Sequence, residues 1–93
     1  TVLFVDLQGY TRFSESASPE AVVAMLNRFF RVVVAAVNRE GGWVNKFEGD
    51  AALCVFGAPQ PDESHAANAL RAAEALRRDL AEQGIEIARK VLD

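Results

Sequence analysis

Thr1-Val2-Leu3-Phe4-Val5 is an unbroken apolar, β-branched run, the pattern of a strand covered on both faces. The sequence opens inside this run, as expected for a piece excised from a longer domain. Leu7-Gln8-Gly9-Tyr10-Thr11 interrupts it, Gly9 suits a tight turn, and Arg12-Phe13-Ser14-Glu15 fits a single helical turn. Ser18-Pro19-Glu20 then reads as a helix start: a hydroxyl at the N-cap, Pro where no N–H is needed, and a carboxylate at the positive end of the dipole. Val22, Leu26, Phe29, Phe30, Val33 and Val37 recur at helical spacing, and Gly41-Gly42 closes the helix. Val23, Val32 and Val34 make the apolar stripe wide enough to meet either another protein chain or a further element of the same chain.

Trp43–Phe47 and Ala51–Phe56 flank Glu48-Gly49-Asp50, two strands and a short turn, hence a β-hairpin. Gly57-Ala58-Pro59-Gln60-Pro61 ends it. A third helix is expected from Asp62, as N-cap, to Gln83, with Ala66, Ala69, Leu70, Ala73, Leu76 and Leu80 on one face and Gly84 as its stop. Ile85-Glu86-Ile87 alternates like a strand, whereas residues 88–93 have a more helical composition, so the tail 85–93 stays unassigned beside a domain spanning 1–84.

Hydrophobic residues make up 51% of the 93 and charged residues 25%, which predicts one small globular domain. The net charge of −3 and the lack of a Lys/Arg cluster argue against nucleic-acid binding. No apolar run reaches membrane-spanning length, so any tethering would come from segments of a parent protein. A single cysteine, Cys54, and no signal-like opening point to a reducing, cytoplasmic setting. Cys54 reads as a small core residue, His65 as a surface residue without metal-binding companions, and Arg71, Arg77 and Arg78 as a solvated helix face.

The candidate chemistry lies in the carboxylates. Asp6 ends an apolar strand, where desolvation demands a cation or several N–H donors. Asp50 follows Gly49 in a turn, an ordinary place for Asp. If the hairpin lies beside the first strand, both reach the same end of one sheet, and two such oxygen ligands suit Mg²⁺ carried in with phosphates. The loop Leu7–Thr11 offers backbone N–H groups for phosphate oxygens. Period-two geometry aligns Lys46, Glu48 and Asp50, so Lys46 faces either solvent or the same cleft.

Phe4-Val5-Asp6-Leu7-Gln8-Gly9-Tyr10-Thr11, then Asn45-Lys46-Phe47-Glu48-Gly49-Asp50-Ala51, then Val55-Phe56-Gly57-Ala58-Pro59 together resemble the class III adenylate/guanylate cyclase catalytic domain. The resemblance covers nearly all of residues 1–84 and implies a ferredoxin-like α/β sandwich, incomplete in this chain. It implies that Asp6 and Asp50, with the backbone at Leu7, bind two divalent ions, Mg or Mn. Gln8, Gly9, Tyr10 and Thr11 match the triphosphate loop. Lys46 matches the base-selecting position, where Lys goes with ATP and Glu with GTP.

The implied activity is conversion of ATP to 3′,5′-cyclic AMP and pyrophosphate by two-metal-ion catalysis, at the interface of a head-to-tail homodimer and in a signalling role. After Gly84 the family's Asp or Thr partner of the lysine, and its transition-state Asn and Arg, find no match, so no transition-state residue is assigned and Arg89 is not given that role. The chain by itself is therefore expected to be inactive. The alternative is a cyclase-like module that binds nucleotide or a partner domain without turnover.

Overall fold

The computed structural model describes residues 1–93. The elements are β1 (Val2–Leu7), α1 (Tyr10–Ser16), α2 (Pro19–Arg39), β2 (Trp43–Glu48), β3 (Ala51–Val55), α3 (His65–Ala81) and β4 (Ile87–Leu92). The strands form one sheet in the order β2-β3-β1-β4, with every neighbouring pair antiparallel. Leaving aside the short α1, this is the β-α-β-β-α-β arrangement of a ferredoxin-like sandwich, the α+β class that the family resemblance implies.

The two long helices share one face of the sheet. Leu3 and Val5 of β1 and Cys54 of β3 are wholly buried against Phe29, Val33 and Val37 of α2 and Ala69, Leu76 and Leu80 of α3. Strand side chains alternate between faces, so the same β1 shows Phe4, at 39% exposure, to the other side. β1 is thus covered on one face, not on both, because no helix lies across the other. Phe4, Asp6, Leu53, Lys46 and Lys90 all fall on this open face by strand register.

Helix α2 starts as its sequence predicts: the Ser18 hydroxyl accepts from the Ala21 N–H at 3.2 Å, and Pro19 occupies the first turn. Its stripe divides along its length. Phe29, Val33, Ala36 and Val37 are buried, whereas Val23 near the N-terminus is 56% exposed. Phe30 extends the contact toward the hairpin, its ring centroid 4.2 Å from that of Phe47 on β2.

Helix α3 is shorter than the pattern predicts, and Ser64, not Asp62, is its N-cap residue. The Asp62 carbonyl accepts from His65 in a turn ahead of the helix, while its carboxylate accepts from the Ser64 N–H at 2.9 Å and from the Asn68 amide at 2.8 Å. Leu70 is 58% exposed, because the buried face runs through Ala69, Ala72, Ala73, Leu76 and Leu80, and one residue on from Ala69 is about 100° around the helix. These small alanines let α3 lie close beside α2.

The tail is a strand. β4 pairs with β1 from Val2↔Leu92 to Leu7↔Ile87, so the helical composition of residues 88–93 is overridden by long-range pairing. Arg89 fastens the strand to α3: its guanidinium donates to the Ala73 carbonyl at 3.2 Å and to the Glu74 carboxylate at 3.3 Å. Glu74 also accepts from Arg77, and these hydrogen bonds, Arg77 first, hold its carboxyl below the usual carboxylate range. Arg71 and Arg78 likewise meet carboxylates, Glu40 at 3.0 Å and Asp79 at 3.5 Å.

Gly42, at the junction of α2 and β2, shows how tightly the hairpin seats on the core. A Cβ there would lie 2.5 Å from Cε2 of Phe56 and 2.7 Å from Cδ2 and Cζ, and Phe56 is only 2% exposed. Gly42→Ala should therefore destabilise the fold by about 1–3 kcal/mol through overpacking. Urea unfolding followed by circular dichroism checks this, and an unchanged midpoint would show that the ring moves aside freely.

Candidate active site

The antiparallel register brings the two aspartates together. Asp6 lies opposite Ala51, the residue after Asp50, and the Leu7 N–H donates to the Asp50 carbonyl at 3.0 Å. Asp6 and Asp50 therefore occupy neighbouring positions at one end of the sheet. Gly49, with φ of 57°, turns the hairpin there, a conformation that glycine adopts without strain. Asp6 is exposed and Asp50 half-buried. The desolvation argument for Asp6 consequently does not hold, since on the open face water solvates the carboxylate.

The loop after β1 is held from two sides. Beyond the Leu7 bond, the Gln8 N–H donates to the Glu86 carbonyl at 2.9 Å, so these two N–H groups are already used. Gly9, φ 72°, is the N-cap of α1, and its carbonyl accepts from Phe13 at 3.0 Å. The N–H groups without an acceptor inside the helix are those of its first turn, Tyr10, Thr11 and Arg12. The loop forms one wall of an open cleft of about 430 Å³ lined elsewhere by Met25 and Arg28 of α2 and by Gly84–Glu86, and neither Asp6 nor Asp50 lines it.

Lys46 lies opposite Leu53 and beyond a bulge that interrupts the register between Val44 and Lys46. Its Nζ pairs with Glu48 Oε1 at 3.0 Å, consistent with the shared side predicted for both. Along β2, Glu48 is level with Ala51 and hence with Asp6. Lys46 is one row further from the turn, on the same face as Asp6 and two strands away.

The donor set fits a hard divalent cation. Asp6 and Asp50 offer carboxylate oxygens only, and no group of three or more His, Cys, Asp or Glu side chains gathers anywhere in the chain. Such a pair leaves most of an octahedral shell to carbonyl, water and phosphate oxygens, the usual situation of Mg²⁺ or Mn²⁺ at a nucleotide and unlike a closed zinc site.

His65 and Cys54 lie apart from this region. His65 is half-buried, its Nδ1 2.5 Å from the Thr1 hydroxyl, and it packs beneath Gly57, where a Cβ would come within 2.8 Å of the His65 Cβ. Its side chain is 38% exposed, so it lies at the surface as the sequence suggests while also filling the space beneath Gly57. Cys54 is wholly buried, and burial pushes its thiol up to about 11. The protonated thiol should resist a disulfide reagent at pH 8, reacting only as fast as the fold opens. Labelling within seconds under native conditions would contradict that burial.

What the sequence missed is β4. Glu86 anchors the β1–α1 loop, and Lys90 stands on the open face opposite Phe4. The alternation of Ile85 and Ile87 was the one local signal for this strand.

Fold and site together define an α+β sandwich with two aspartates at neighbouring positions at one end of its sheet, beside a glycine-turned loop. The chain belongs to the adenylate and guanylate cyclase catalytic domain family, whose model matches residues 1–89. An uncharacterized protein of Mycobacterium tuberculosis is 44% identical over 93 residues, covering 94% of this chain and 16% of that protein.

Among solved structures, the guanylate cyclase domain of RhGC from Catenaria anguillulae in complex with GTP has a TM-score of 0.87 at 29% identity. The adenylyl cyclase CyaB from P. aeruginosa has a TM-score of 0.86 at 28% identity. Each match covers 95% of this chain and 52% of the other, so the chain spans about half the length of these cyclase structures. No helix is long and apolar enough to cross a membrane.

Proposed function

We propose that the chain is the ion- and phosphate-holding part of an adenylate cyclase, which converts ATP to 3′,5′-cyclic AMP and pyrophosphate. The observation that carries this reading is the register placing Asp6 opposite Ala51, beside Asp50, at the end of the sheet where the β1–α1 loop emerges. Asp6 and Asp50, with the Leu7 backbone, hold two divalent ions, Mg or Mn. When bound, these ions supply Lewis acidity toward the ribose 3′-hydroxyl and charge neutralisation on the phosphates. The carboxylates position and do not attack.

The remaining roles fall to the loop and to Lys46. The loop from Gln8 to Thr11 orients the triphosphate, with the first-turn N–H groups of α1 as its donors. Lys46 reads the base by donating to a purine ring nitrogen; lysine here supports ATP as the substrate, and the Glu48 carboxylate at 3.0 Å orients the ammonium. In a head-to-tail homodimer each Lys46 would serve the site whose aspartates come from the other chain. The open face, where the apolar Phe4 and Trp43 are each 39% exposed among charged residues, supports such an assembly.

The test is product analysis by chromatography of a whole-length catalytic domain carrying this sequence, incubated with Mn–ATP or Mn–GTP. Cyclic AMP and pyrophosphate in equal amounts are expected from ATP. Turnover of GTP alone would refute the substrate assignment.

One observation favours a second reading, a cyclase-like module that binds nucleotide or a partner domain without turnover. Arg89 is engaged with Ala73 and Glu74 on the helix side of the sheet and is turned away from Asp6. This module would bind Mn–ATP with no product at any protein concentration.

A further inference from the structure

We infer that the cleft between α2, the β1–α1 loop and the turn into β4 is a second binding site, for a small zwitterion with an apolar body, such as a free amino acid with an aromatic side chain. The cleft follows from side-chain size on one face of α2. Ala21, Ala24, Met25 and Arg28 succeed one another at steps of three, one and three, which is a single helical stripe. Further along the helix Phe29 and Val33 fill the space above the sheet, whereas the methyl groups of Ala21 and Ala24 leave it open. The resulting volume, about 430 Å³, is that of a small-molecule pocket.

The lining combines apolar surface with two opposite charges. Leu7, Phe13 and Met25 supply the surface, and Phe13 is 38% exposed. Arg28 comes from α2, and Glu86 from the segment whose carbonyl accepts the Gln8 N–H at 2.9 Å. Neither has an opposite charge within 4.0 Å. A simple anion would meet Arg28 but be repelled by Glu86, and a simple cation would meet the reverse. A zwitterion satisfies both: Arg28 donates to its carboxylate, Glu86 accepts from its ammonium, and its apolar body lies against Leu7, Phe13 and Met25. Neither Asp6 nor Asp50 lines this cleft, so the site is separate from the one proposed for nucleotide and its test does not depend on that reading.

Amide NMR of the whole-length catalytic domain carrying this sequence, titrated with L-phenylalanine, reads the site directly, because Gly9 and Gly84 line the cleft and Gly49 does not. The signals of Gly9 and Gly84 should shift saturably while that of Gly49 stays. 3-Phenylpropionate, which lacks the ammonium, and 2-phenylethylamine, which lacks the carboxylate, should each bind about tenfold more weakly. Arg28→Gln should weaken phenylalanine about tenfold without weakening 2-phenylethylamine, and Glu86→Gln should do the same while sparing 3-phenylpropionate. Ala24→Leu, at an exposed position where leucine is a good helix former, should fill the cleft and abolish binding. The site is overturned if Gly9 and Gly84 show no saturable shift in the unaltered domain. Equal binding of all three probes would also overturn it, since the groove would then read no charge. Phenylalanine binding unchanged in both Arg28→Gln and Glu86→Gln would remove the two charges from the assignment.

Discussion

Asp50→Ala in a whole-length catalytic domain carrying this sequence should lower cyclic AMP formation by about 10³-fold or more, while leaving the thermal midpoint within a few degrees. The two expectations come from different parts of the residue. The Asp50 main chain accepts from the Leu7 N–H at 3.0 Å, and alanine keeps that bond. Gly49, with φ of 57°, carries the turn, so the hairpin does not depend on the Asp50 side chain. Only the carboxylate disappears, and on the proposed reading the ions that Asp6 and Asp50 would hold lose a ligand. Asp6→Ala should behave alike, because its exposed side chain contributes no burial to the core. Activity assayed beside differential scanning calorimetry checks both, and full activity in either variant would dismiss the ion-holding assignment.

Lys46→Glu should move substrate preference from ATP toward GTP, with a change of about 10²-fold in the ratio of the two kcat/KM values. A lysine donates to a ring acceptor, whereas a glutamate accepts from ring and exocyclic N–H groups, so the exchange inverts the pattern that the site presents to the base. It also leaves two carboxylates, at positions 46 and 48, where Lys46 and Glu48 now pair at 3.0 Å. Both side chains are more than half exposed, which screens their repulsion and keeps the fold intact. Competition assays with the two nucleotides at equal concentration measure the ratio directly. An unchanged ratio would mean that Lys46 does not read the base.

Much of the site could be read from the chain because its parts are local. The N-cap at Ser18, the turn at Gly49 and the glycine-led loop into α1 each depend on a few consecutive residues, and residue chemistry sets their geometry. Lys46 and Glu48 could be placed together because a strand repeats every two residues. Lys90 could not, since its neighbourhood depends on β4 pairing with β1, more than eighty residues away in the chain. The error over Asp6 has the same origin. An apolar run such as residues 1–5 looks alike whether one face of the strand or both are covered.

The sequence by itself determined the order of elements as far as α3, the helix and turn boundaries within a few residues, and the residue types that resemble a nucleotide cyclase. These follow from backbone propensity and periodicity, which act over short distances. The tertiary structure decided which face of the sheet stays open, that the tail is a strand, that Leu70 lies off the core and that Arg89 turns to α3. Each of these depends on which distant surfaces meet, and hydrophobic burial and antiparallel pairing choose those partners over the whole chain at once.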